Sequence, residues 1–85
     1  MNRRKLLGRI TRGKLSNVSF ADLMNLATGF GFKLDRVRGS HHILKHPGLP
    51  ELLNLQDVHG EAKPYQIRQF LRLVERYNLN LETDE

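Results

Sequence analysis

The sequence predicts an α+β domain of order α-β-β-β-α, a small antiparallel three-stranded sheet with two helices on one face. Two stretches, residues 19–30 and 64–77, carry apolar residues at helical spacing, and three short strand-like stretches lie between them, separated by Gly, Ser and Pro. The chain has 85 residues, no cysteine and no apolar run near the roughly 20 residues a membrane-crossing helix needs. That length supports one hydrophobic core, held without disulfides. A chain without thiols suits a reducing cytoplasm.

Residues 1–17 hold two glycines, six bases and scattered Leu and Ile, which reads as a basic N-terminal arm, either a loosely ordered, solvated tail or a frayed helix. Leu6 and Leu7 run into Gly8 and Arg9, so no signal-peptide core forms. The domain proper spans 18–79. Its first helix begins at Ser19, which with Asp22 three residues on resembles a capping box, and Phe20, Leu23, Ala27 and Phe30 form its buried stripe. Gly29 and Gly31 end it.

Phe32–Arg38 alternates in part, with Phe32, Leu34 and Val37 among Lys33, Asp35, Arg36 and Arg38, and reads as a half-buried strand entering a Gly39-Ser40 turn. His41–His46 is the second strand, closed by Pro47-Gly48, and Glu51–Gln56 is the third, with Leu53 and Leu55 on one side. Pro64 suits the first turn of the last helix, where a missing N–H costs nothing. Ile67, Phe70, Leu71, Val74 and Tyr77 continue its apolar face to a stop at Asn78, and an acidic tail follows at 80–85. Helices on one side of the meander leave the other sheet face free.

Fourteen Lys and Arg against nine Asp and Glu give a net charge of +5, so a polyanion is the first partner to consider. Six of those bases precede the first acid, Asp22. On the last helix Arg68, Arg72 and Arg76 fall at i, i+4 and i+8, a stripe that either lines phosphates or is a solvated face, and Lys63 adds charge just ahead of the helix. Tyr65 and Phe32 are aromatics able to stack on bases.

Four histidines, His41, His42, His46 and His59, are the groups whose ordinary titration lies near neutrality. A shared metal ion is disfavoured, because His42 and His46 on one strand stand roughly 13 Å apart. Acid–base work on a phosphodiester asks only for one histidine beside a cation. On a strand, His41, Ile43 and Lys45 share one face while His42, Leu44 and His46 share the other. Each face has one aliphatic residue, so alternation does not say which is buried. No Ser-His-Asp order, phosphate-cradling glycine loop or carboxylate pair can be built.

Gly29-Phe30-Gly31-Phe32, the run from Gly39-Ser40-His41-His42 to His46-Pro47, and Lys63-Pro64-Tyr65-Gln66-Ile67-Arg68-Gln69-Phe70 together resemble the HicA toxins of toxin–antitoxin modules. The resemblance covers roughly residues 19–77. It implies a double-stranded-RNA-binding-domain-like fold and a ribosome-independent mRNA endoribonuclease whose active histidine follows Gly-Ser, here His41. Gly39, Ser40, His42 and Lys45 are then supporting residues, Lys45, Lys63, Arg68 and Arg72 bind RNA, and no metal or other cofactor is required. It also implies a HicB-like antitoxin, with operator DNA bound only through the toxin–antitoxin complex. The chain departs from the family in its Asn54-Leu55-Gln56 third strand and its long basic start. A non-catalytic RNA-binding module of the same fold is the competing reading, and a protein-interaction domain is a third.

Overall fold

The computed structural model describes residues 1–82. Its order is α1 (Arg3–Thr11), α2 (Phe20–Gly29), β1 (Lys33–Arg38), β2 (His41–Lys45), β3 (Leu53–Gln56) and α3 (Pro64–Arg76). The α+β class is observed, with an antiparallel sheet ordered β1-β2-β3, and one helix precedes the two predicted.

That extra helix lies within the predicted basic arm, so a solvated tail is not what this segment forms. The Asn2 side chain caps it by accepting from the Lys5 N–H at 2.8 Å. Leu6 and Ile10 fall four residues apart, on one face, and are buried in the core. Scattered leucines among six bases hid this pairing, because neighbouring Gly8 and the charges dilute the periodic signal. Arg3 adds a tie from α1 to α2, donating to Asn25 Oδ1 at 2.8 Å.

α2 starts and stops as its sequence dictates. Ser19 is the N-cap, its Oγ accepting from the Asp22 N–H at 3.0 Å, and Gly31 follows the helix at φ +98°, a conformation that costs a side chain dearly. Leu23, Leu26 and Ala27 of α2 meet Ile67, Phe70 and Leu73 of α3 in a core completed by Leu44, Leu53 and Leu55 from the sheet. Each such Leu, Ile or Phe stabilises the fold by roughly 1.5–3 kcal/mol through burial. α3 also covers one sheet edge: the buried Gln66 accepts the Gln56 N–H at 2.7 Å, satisfying a strand donor that would otherwise be orphaned.

β1 differs from its expectation. Phe32 precedes the strand and is buried against Phe70 and His46, so it cannot stack on a base. All six strand residues are exposed, including Leu34 at 50% and Val37 at 49%. Leu34 and Val37 share the helix-side face with Leu44 and His42, but β1 is an edge strand and the helix layer does not reach it. A bulge between Leu34 and Arg36 and a high charge density mark β1 as a protected edge.

The chain after α3 turns at Asn78, φ +52°, and runs back to α2, where the Glu82 N–H donates to the Gly29 carbonyl at 2.8 Å. The rest of the acidic tail expected at 80–85, residues 83–85, lies outside the described residues. Among the described residues, no helix is long and apolar enough to cross a membrane.

Candidate nucleic-acid interface on the open sheet face

Burial decides what alternation could not. Leu44 is buried whereas His41 and Lys45 are exposed, so the His42-Leu44-His46 face meets the helices and the His41-Ile43-Lys45 face is open. Leucine wins the inner position because Leu53 and Leu55 of β3, partners of Leu44 and His42, are buried on that side too.

Strand register extends the open face on both sides. Lys45 is opposite Lys33, Ile43 opposite Arg36 and His41 opposite Arg38, while Asn54 and Gln56 of β3 face Ile43 and His41. Directly paired residues share a face. The result is a surface carrying Lys33, Arg36, Arg38 and Lys45 around one exposed histidine. Its acid is Asp35 at the bulge, within 2.7 Å of Arg36 Nη1 and 3.5 Å of Lys45 Nζ. Arg38 is the cation directly across the hairpin from His41; Lys45 is four residues along β2, roughly 13 Å away.

His41 is presented by the two-residue Gly39-Ser40 turn. Gly39 takes φ +58° and Ser40 does not share the positive sign, which matches a type II′ hairpin, whose first central position favours glycine. β3 and the residue after it hold Ser40 from one side: its carbonyl accepts the Asp57 N–H at 2.9 Å, and its Oγ accepts from Gln56 Nε2 at 3.3 Å. Tyr65, exposed at the start of α3, donates its hydroxyl to Gln56 Oε1 at 3.3 Å. The N-terminal end of α3, with Lys63 at its N-cap, therefore sits beside the His41 end of the sheet. On the ring of His41, Nδ1 is 3.2 Å from Asn54 Oδ1.

The other histidines are committed elsewhere. His42 tilts against Phe20, ring centroids 4.7 Å apart, and its Nδ1–H donates to the Ser40 carbonyl at 3.3 Å. His46 donates from Nε2 to the Phe30 carbonyl and accepts the Gly48 N–H at Nδ1, both at 2.9 Å, so neither ring nitrogen is free for chemistry. His59 occupies the tip of a Val58–Glu61 turn at φ +53°. The four do not converge.

Of the other predicted contacts, Arg68 and Arg72 are not brought together with His41. α3 turns Ile67 and Phe70 to the core, leaving Arg68 along a groove with Leu7 and Ile10 of α1, and Arg72 beside Glu51 and Leu52. Sequence reasoning missed Lys33, Arg36, Arg38, Asn54 and Gln56. A signal for Arg38 was present, since residues flanking a two-residue hairpin turn pair directly, and Asn54 and Gln56 alternate with the buried Leu53 and Leu55.

A family model described as the HicA toxin of bacterial toxin–antitoxin systems matches residues 20–75, from the start of α2 almost to the end of α3. No curated protein and no solved structure matches the chain.

Proposed function

The chain belongs to the HicA toxin family, and from that premise we propose that it is a ribosome-independent mRNA endoribonuclease with His41 as its base. The observation that carries this reading is the placement of one exposed, turn-presented histidine on a basic sheet face, directly opposite Arg38.

RNA lies across the open face with its phosphates against Arg38, Arg36, Lys33 and Lys45, and Lys63 extends the track at the His41 end. His41 takes the proton of a ribose 2′-OH as that oxygen bonds to the adjacent phosphorus. Arg38 stabilises the developing phosphorane charge, a role that fixed cations fill well because they need no reorganisation. Lys45 holds a neighbouring phosphate. The P–O5′ bond breaks and the 5′-oxygen takes a proton from solvent water, giving a 2′,3′-cyclic phosphate and a 5′-hydroxyl, while His41 returns the 2′-OH proton to solvent. DNA lacks the 2′-OH and is not cut by this route. Gly39 and Ser40 keep the base at the hairpin tip, and His42 anchors the same turn from beneath through the Ser40 carbonyl. Arg68 and Arg72 offer phosphates a second surface on the helix layer, which RNA on the open face does not need.

A toxin of this family works within a toxin–antitoxin module. We assign the antitoxin as a HicB-like protein that masks the open face, and operator DNA as bound only through the toxin–antitoxin complex. Cleavage of a defined mRNA without ribosomes and in excess EDTA, by wild type and His41→Ala, tests the nuclease. Fragments with cyclic-phosphate ends from the wild type alone are expected. Equal cutting by both proteins would remove His41 from the mechanism; binding without cutting by both would leave a non-catalytic RNA-binding module.

A further inference from the structure

We propose that Asn54 is the positioning residue that sets the tautomer of His41, holding the proton on Nδ1 so that Nε2 faces the RNA as the base. The inference rests on the reading of His41 as the catalytic base.

The argument starts from β3. Leu53 and Leu55 are wholly buried, so the pleat turns Asn54 outward, and register sets it diagonal to His41, two residues from His41's direct partner Gln56. There its Oδ1 meets His41 Nδ1 at 3.2 Å. An amide oxygen only accepts, so this contact requires a hydrogen on Nδ1, and the lone pair of the neutral ring is then on Nε2. Free imidazole side chains in water favour the reverse arrangement, which here would aim the lone pair at Asn54 instead of at substrate. Asn54 reverses that preference. A second acceptor orienting the ring nitrogen remote from the reaction is the arrangement by which a base is held ready.

The amide orients without adding charge. The charged groups facing His41 are Arg38 on β1 and, farther along the face, Arg36, Lys45 and Lys33, with Asp35 paired to Arg36 and Lys45. His42 is next in the chain but on the opposite face, Tyr65 and Lys63 stand at the start of α3, and β3 itself presents the uncharged Asn54 and Gln56. A carboxylate at position 54 would also orient the ring but would stabilise its imidazolium form.

The test reads the tautomer directly by long-range proton–nitrogen NMR correlation on ¹⁵N-labelled wild type, Asn54→Ala and Asn54→Asp, at a pH where the ring is neutral. The wild type is expected to carry Nδ1–H, Asn54→Ala to revert to Nε2–H, and Asn54→Asp to keep Nδ1–H. Cleavage should fall about 10- to 100-fold in Asn54→Ala with RNA affinity unchanged. In Asn54→Asp the acid limb of the pH–rate profile should move up by about 1 unit or more. A wild-type ring in the Nε2–H form, or a tautomer indifferent to Asn54→Ala, overturns the proposal. Because the tautomer is read without RNA, an Nδ1–H ring that depends on Asn54 supports the proposal even in a protein that cuts nothing, and the nuclease reading is then the one that fails.

Discussion

The imidazole of His46 occupies the space that any side chain at Gly31 would need: a Cβ there would stand 2.8 Å from His46 Nε2. The histidine cannot step aside freely, since the Phe30 carbonyl and the Gly48 N–H hold its two nitrogens and Phe32 packs against its ring at 5.1 Å. This contact ties the end of α2 to the end of β2.

Gly31→Ala is therefore expected to destabilise the protein by about 1–3 kcal/mol through both positive φ and the clash. Gly13→Ala supplies the control, because Gly13 also has positive φ, +86°, but open space around it. Urea midpoints compare the two. Equal losses would mean that His46 yields and does not lock the junction.

The placement of the cations predicts unequal effects on RNA. Arg38→Ala should weaken binding and lower the slope of log affinity against log salt by roughly 0.7, the single-strand value for one phosphate contact. Arg68→Ala and Arg72→Ala, on the helix layer, should leave both nearly unchanged. Fluorescence anisotropy across a salt series measures this, and a larger loss from Arg68→Ala than from Arg38→Ala would move the RNA to the other side of the molecule.

Stability should depend on pH through Glu51, which joins the loop before β3 to the end of α3. The Tyr77 hydroxyl donates to its carboxylate, Arg76 pairs with the same oxygen at 2.9 Å, and together they hold the group below the ordinary glutamate range. A carboxyl whose folded value is lowered stabilises the protein above its unfolded value, and that contribution is lost as pH falls through the folded one. Glu51→Gln should thus lower Tm at neutral pH, with the gap to wild type closing as the solution is acidified below the carboxylate range. A gap that stays constant to acid pH would show that the ionised form of Glu51 contributes nothing.

The element order from α2 to α3 was legible because its signals are local. Ser19 caps one helix through the Asp22 N–H, Pro64 opens another, and Gly39-Ser40 turns a hairpin, each through the backbone chemistry of a few adjacent residues. α1 was legible only as a loose arm or frayed helix, since Leu6 and Ile10 become a hydrophobic face only where α2 provides something to bury them against.

For the site, sequence singled out the histidine-rich strand and marked His41 through resemblance to a family, while leaving both strand faces possible. Tertiary packing chose between them: Leu53 and Leu55 drew Leu44 inward, and the two-residue periodicity of the strand then turned His41 and Lys45 outward together. The same register brought Arg38 and Asn54 to His41 from two other strands, and the helical twist of α3 carried Arg68 and Arg72 away from it. Residue types and turns are written along the chain, but which side chains share a surface depends on which face the core claims, and that is decided only when separate elements bury their leucines against one another.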